Sequence, residues 1–337
     1  MSNLPSKLWP VRDRPLPDEL LSSWLVRLAH LHGLKAQSFC HLVFGNEHQV
    51  WNRDIDRLAP AWLIEGLSTG TGVSMSTALD STLRVYEGLF YPKFRTAGNL
   101  PWVLTQQMYH RKRNGFGLQF CPQCLKEDTV PYFRKRWRIA VNTTCQLHGC
   151  HLLDRCPACG HAIAVHRLDM GNGALPESAP LSQCFACGVN LALAITSPIY
   201  GYAKDASQLL ARIEQKLEAG TVQWTRVEIE ELAVLRHLTG LMTARYQHDY
   251  LREYVADQLR VKDIILDPKG LSVEARPWEE RRHLIQLAAW LLADIDYRLT
   301  NAWKAGSIRY NLLLKGLDSP PAWYVKIVKP LSNWRDR

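Results

Sequence analysis

The chain has 337 residues, 47% hydrophobic, 22% charged and 9% aromatic, which suits two or three globular domains and excludes the disordered, collagen-like and coiled-coil classes. With 41 Lys and Arg against 32 Asp and Glu the net charge is +9, a balance that favours polyanionic partners but speaks to association and not to fold. No apolar run approaches the ~20 residues that span a bilayer, and the first ten residues lack the apolar core of a secretory signal, so the expectation is a cytoplasmic protein with no membrane partner.

In chain order, Pro17 suits a first helical position and Asp18 and Glu19 suit the positive end of a helix. Leu20, Leu21, Trp24, Leu25, Leu28 and Leu31 then recur at helical spacing up to Gly33. A shorter helix is expected over 36–44, closed by Gly45. Helical patterns over 61–67 and 74–86, joined by Thr69-Gly70-Thr71-Gly72, draw the outline of a helix-turn-helix. Plain core scaffold produces the same outline. Further helices are expected over 207–218, closed by Gly220, over 228–246, and over 278–304, opened by Pro277 and closed by Gly306. The segment 170–180, rich in Gly, Pro, Ala and Ser, is the expected flexible stretch.

Seven of the nine cysteines belong to four pairs between the helical ends, Cys121-Pro-Gln-Cys124, Cys145-Gln-Leu-His148, Cys156-Pro-Ala-Cys159 and Cys184-Phe-Ala-Cys187, leaving Cys40 and Cys150 over. Structural zinc wants four soft ligands in a tetrahedron, and two donors separated by two residues aim at one ion from a tight turn. Four such pairs make two structural Zn2+ sites, Cys121, Cys124, Cys145 and His148 on one and Cys156, Cys159, Cys184 and Cys187 on the other. Interleaved, RING-like pairing is the less favoured arrangement, because His148 and Cys156 stand further apart than the corresponding RING ligands. Cys150 is an alternative to His148 as a ligand; the two-residue spacing favours His148. His151, His161 and His166 are read as surface or supporting residues.

The resulting fold class is mainly α, with an N-terminal helical, helix-turn-helix domain over 1–115, two tandem zinc-ribbon-like units over 116–198 (about 118–152 and 153–198), and an all-α domain over 199–337. Both zinc sites are closed by four protein ligands, unlike a catalytic zinc with its open position. The phosphate-loop, dinucleotide, nucleophile-elbow, HExxH and deaminase signatures are all missing, so no catalytic or cofactor-binding residue is assigned and the chain is read as a non-enzyme. Around the first zinc unit Arg111, Lys112, Arg113, Arg134, Lys135, Arg136 and Arg138 interleave with Phe116, Phe120, Tyr132, Phe133 and Trp137. That mixture suits phosphate contact with stacking platforms, and equally a small module whose aromatics form its core.

The stretch Leu16-Pro17-Asp18-Glu19-Leu20-Leu21-Ser22-Ser23-Trp24-Leu25-Val26-Arg27-Leu28-Ala29, then Phe120-Cys121-Pro122-Gln123-Cys124-Leu125, Trp137 before Cys145-Gln-Leu-His148, and Leu152-Leu153 before Cys156-Pro157-Ala158-Cys159-Gly160 together resemble the TniQ/TnsD family of transposon target-selection proteins, over the first 190 or so residues. The resemblance implies an N-terminal helix-turn-helix domain, two zinc-finger units and no catalytic activity. It implies a target-selection adaptor of DNA transposition that links a target-recognition element, either DNA or an RNA-guided CRISPR effector complex, to an AAA+ regulator ATPase that recruits the transposase. The chain falls between the short TniQ members and the long TnsD members, which favours the adaptor. The alternatives are a sequence-specific DNA-binding protein, selecting an attachment site or regulating transcription, and a RING-like scaffold. A homodimer is left open.

Overall fold

The computed structural model describes residues 8–109, 112–113, 115–170, 180–220, 223–243 and 250–332. The chain forms two compact units, Met1–Pro198 and Ile199–Arg337. Both are built mainly from helices, and none of the described helices is long and apolar enough to cross a membrane. The segment 171–179, most of the stretch expected to be flexible, lies outside the described residues.

In the first unit, α1 (Leu21–Leu31) buries Leu21, Trp24, Leu25 and Leu28 completely, on the spacing visible in the sequence. It begins later than Pro17 suggests. Asp18 sits at φ 58°, Glu19 forms an isolated bridge with Arg134, and the Leu20 amide donates to the Phe133 carbonyl at 2.8 Å. Those backbone bonds hold 18–20 out of the helix, so the two acids accept ion pairs instead of facing the helix dipole. Helix α2 (Ala36–Phe44) ends at Gly45. After the short α3 (Ile55–Leu58), α4 (Ala61–Thr71) continues through Thr69-Gly70-Thr71 and stops at Gly72 with φ 77°. Gly70 carries the Trp9 indole, which a Cβ would meet at 2.0 Å.

Ser74 caps α5 (Met75–Asp80), its hydroxyl accepting from the Thr77 amide at 3.0 Å. The helix expected over 74–86 ends at Asp80 because the Ser81 and Thr82 hydroxyls bond back to the Ala78 and Leu79 carbonyls, at 2.7 Å each, and Thr82 then caps a separate 3-10 turn over Leu83–Tyr86. Two antiparallel pairs of two-residue strands follow, β1 (Met108–Tyr109) with β2 (Lys112–Arg113) and β3 (Thr144–Cys145) with β4 (Cys150–His151). Between the pairs lies α6 (Pro122–Glu127).

The cysteine-bearing segment is woven into the helices before it. The Ala140 amide reaches the Trp102 carbonyl at 2.7 Å, the Leu104 amide reaches the Arg138 carbonyl at 2.8 Å, and Phe120 and Leu153 exchange bonds of 2.8 and 2.9 Å. Trp24, Trp102, Phe120, Phe133 and Trp137 are fully buried in this unit. Large side chains taken out of water in this way contribute ~1.5–3 kcal/mol each.

The second unit comprises α7 (Lys204–Ala219), α8 (Arg226–Leu241), α9 (Tyr250–Leu259), α10 (Trp278–Ala293), α11 (Ile295–Lys304), α12 (Tyr310–Leu313) and α13 (Ala322–Val328). Helix α10 packs against α7, α8 and α9 and buries Leu284, Leu287, Ala288 and Leu291. It also buries Arg281, Arg282 and His283, which is affordable because each has partners. The Arg281 guanidinium donates to the Arg276 carbonyl at 2.8 Å, Arg282 donates to the Tyr200 carbonyl at 2.5 Å, and His283 meets Asp263 at 2.9 Å. The single helix expected over 278–304 is two helices, broken at Asp294 (φ −144°, ψ 64°), where the Arg298 guanidinium satisfies the freed Trp290 carbonyl. The helix expected over 228–246 ends at Leu241, and α9 was not anticipated.

Candidate metal centres

Each half-site is a tight turn. Cys121 is the N-cap of α6, with Pro122 at the first helical position and the Cys124 amide 3.5 Å from the Cys121 sulfur. The hairpin of β3 and β4 carries Cys145 and His148. In the second pair of half-sites, Gly160 and Gly188 follow Cys159 and Cys187 at φ 72° and 74°, and their amides bond back to the Cys156 and Cys184 carbonyls at 2.8 and 2.9 Å. The left-handed turn closes each loop around its sulfurs, a conformation glycine adopts without a Cβ penalty.

The eight donors form two clusters in sequence order. Cys121, Cys124, Cys145 and His148 have their ligand atoms within 4.8 Å of one another, as do Cys156, Cys159, Cys184 and Cys187. The interleaved pairing is not formed. In the first cluster the Cys124 and Cys145 sulfurs are 3.7 Å apart, and His148 Nδ1 is 3.5, 3.3 and 3.4 Å from Cys121, Cys124 and Cys145. In the second, Cys156 and Cys187 are 3.6 Å apart and Cys159 and Cys184 3.7 Å. A tetrahedron with Zn–S of about 2.3 Å and Zn–N of about 2.0 Å has S–S edges of about 3.8 Å and S–N edges of about 3.5 Å. Both donor sets therefore have the dimensions and chemistry of a structural zinc site. They differ in exposure: the three sulfurs of the first are buried and His148 is half-buried, whereas in the second Cys159 is half-buried and Cys187 exposed.

One contributor escaped the sequence analysis. The Glu127 carboxylate, at the end of α6, lies 2.9 Å from His148 Nε2. A carboxylate on the far nitrogen fixes the tautomer that leaves Nδ1 free to ligate. Only the i+3 position after Cys124 signals it, and many surface acids share such a spacing.

Four of the seven basic residues expected to contact nucleic acid have partners within the protein. Arg134 pairs with Asp128 at 2.7 Å and lies over the Tyr132 and Trp137 rings, and Arg136 pairs with Asp18 at 2.7 Å. Lys135 donates to the Asp80 carbonyl. Arg138, fully buried, meets Asp54 at 2.6 Å and Asp56 at 3.0 Å. These four therefore serve as internal ties, because each finds an acid or carbonyl supplied by the N-terminal helices or the adjoining loop. Arg111 lies outside the described residues, as do the side chains of Lys112 and Arg113. Burial pushes the Asp56 carboxyl up to about 6, with Asp54 adding to the rise and Arg138 and Ser22 opposing it. The Arg138 pKa is raised: burial alone would lower it, and the two aspartates outweigh burial.

In a mainly helical chain the two four-donor clusters are arranged as the ligand sets of structural zinc modules are. Residues 10–152 match the TniQ family model, and this stretch contains the whole first cluster. Over that stretch the chain is similar to the TniQ family. None of the curated proteins matches the sequence.

Proposed function

We propose that the protein is a non-enzymatic target-selection adaptor of a DNA transposition system, with two structural Zn2+ ions, one held by Cys121, Cys124, Cys145 and His148 and one by Cys156, Cys159, Cys184 and Cys187. Zinc, when bound, supplies cross-links that hold distant segments together. In this reading the chain couples a target-recognition element, DNA or an RNA-guided CRISPR effector, to an AAA+ regulator ATPase that recruits the transposase, and it works in the cytoplasm. The observation that carries the reading is the first cluster lying wholly inside the TniQ-matching stretch.

The internal use of Arg134, Lys135, Arg136 and Arg138 favours an adaptor over a protein that reads DNA unaided. The competing reading rests on α4 and α5, joined across Gly72 as in a helix-turn-helix. The exposed residues of α5 are Met75, Ser76, Leu79 and Asp80, none of them basic, which suits phosphate contact poorly. The test compares binding of the zinc-loaded protein to random-sequence duplex DNA and to an AAA+ regulator ATPase of a transposition system, at moderate salt. Capture of the ATPase with weak, salt-sensitive DNA binding supports the adaptor. Tight binding to a selected sequence without ATPase capture makes it a DNA-reading regulator instead.

A further inference from the structure

Among the described residues the first cluster has a fourth sulfur, a fifth potential donor, beside it. Cys150 is buried, and its sulfur lies 3.6 Å from that of Cys121. That separation equals the ligand-to-ligand edges of the two clusters, 3.6 and 3.7 Å. Cys150 is also the register partner of Cys145 across β3 and β4. Directly opposed residues of an antiparallel pair point to the same face with Cβ atoms about 4.5–5.5 Å apart, so the hairpin delivers Cys150 to the side on which Cys145 ligates. His148 reaches the cluster from the loop between the two strands, and its outer nitrogen is held by Glu127, whose carboxylate is 66% exposed. The imidazole, its own side chain 8% exposed, thus lies just beneath the solvent-facing Glu127, and the Cys150 sulfur lies in the dry interior.

We infer that Cys150 is a reserve ligand of the first centre, able to take the fourth coordination position when His148 leaves it, so that this centre has five protein donors for one tetrahedral metal. The inference rests on zinc occupying that centre. Exchange of the imidazole for a thiolate preserves four-coordination and makes the donor set all sulfur, which suits soft ions better still. The metal then persists through a displacement of the His148 loop that a four-donor site could not survive. Cys150 binds as the thiolate, so the swap releases the thiol proton to solvent and leaves His148 free to carry one.

The test uses the full-length chain as wild type, C150A, H148A and the double variant, measuring zinc per chain by elemental analysis and the thiolate-to-metal charge-transfer absorption of the cobalt-substituted protein. The expected result is about two zinc ions per chain in the wild type and in each single variant, and about one in the double variant. H148A should also show one thiolate's share of added charge-transfer intensity, which a water-completed site would not produce. An H148A protein that is insoluble or keeps only about one zinc overturns the inference, as does a double variant that keeps about two. Loss of zinc from C150A alone also overturns it, by making Cys150 the resident ligand. A wild type with less than about one zinc per centre defeats the zinc reading itself, separately from the reserve role.

Discussion

Replacing Arg138 by Leu removes a guanidinium that is fully buried and donates to four acceptors: both Asp54 oxygens at 2.6 and 3.2 Å, Asp56 at 3.0 Å and the Leu104 carbonyl at 3.0 Å. Asp56, 1% exposed, would keep only its bonds from the Ser22 amide and hydroxyl, at 2.7 and 2.9 Å. Stranding one member of a buried ion pair costs about 3–5 kcal/mol, a large part of the ~5–15 kcal/mol that holds a domain folded. The penalty should depend on pH, with a definite sign. The folded-state pKa of Asp56 is already raised to about 6, above the ordinary 3.8. The folded state therefore holds this proton more tightly than the unfolded state, and the carboxyl's own contribution is fully present at low pH and lost as pH rises through about 6. Without Arg138, which opposes the rise, the pKa climbs further, so R138L should be hurt more at about pH 7.5 than at about pH 5. Urea unfolding of the zinc-loaded full-length chain, followed by tryptophan fluorescence at both pH values, measures this, and adding D56N should recover part of the loss. A penalty below about 1 kcal/mol, or one that does not change with pH, refutes the reasoning.

The second centre, with Cys187 exposed, should release its metal to a chelator before the buried first centre does; a colorimetric zinc assay on C124S and C159S, each retaining one centre, gives the order, and faster release from C159S contradicts it. Glu127→Gln should weaken zinc at the first centre about 10–100-fold by loosening His148, read by competition with a chelator of known affinity. Helix α8 opens with a capping box between Thr225 and Glu228, and Lys216 chiefly holds the Glu228 carboxyl down to about 2 from 4.5. Its stabilisation is therefore present above the ordinary pKa and lost as pH falls toward 2, so E228Q should flatten acid unfolding of the second unit and T225A should cost about 1 kcal/mol. At Gly117 a Cβ would stand 2.4 Å from the Thr105 carbonyl oxygen, and G117A should lower the melting temperature through a backbone shift costing about 1–3 kcal/mol.

The clusters were legible in the sequence because metal ligation is local: two donors two residues apart on a turn have few other uses. Leucine spacing likewise revealed α1, α2, α7 and α10, since one buried face imposes a periodicity. What remained hidden depends on contacts distant in sequence. The start of α1 is set by backbone bonds from residues 133–135, and nothing near Pro17 encodes them. The row Arg134 to Arg138 reads equally as a phosphate-contact surface and as part of a small structural module, because charge is visible in a sequence and its partner is not. Asp18, Asp54 and Asp56 answer that row from more than eighty residues away. The break at Asp294 similarly follows from Arg298 reaching back to Trp290, a preference that periodicity does not record.

The ties between α1 and the cysteine-bearing segment also set an order of events during synthesis. The Phe133 amide donates to the Ser23 hydroxyl across 110 residues of chain, and the Leu20 amide waits for the Phe133 carbonyl. At ~5–20 residues per second, translation needs on the order of 5–20 s to bring that partner out. Through that interval the apolar face of α1 has been made and its cover has not. The nascent N-terminal helices therefore depend on helix–helix contacts alone, or on a chaperone, until the hairpin of the first centre emerges and metal capture can close the unit.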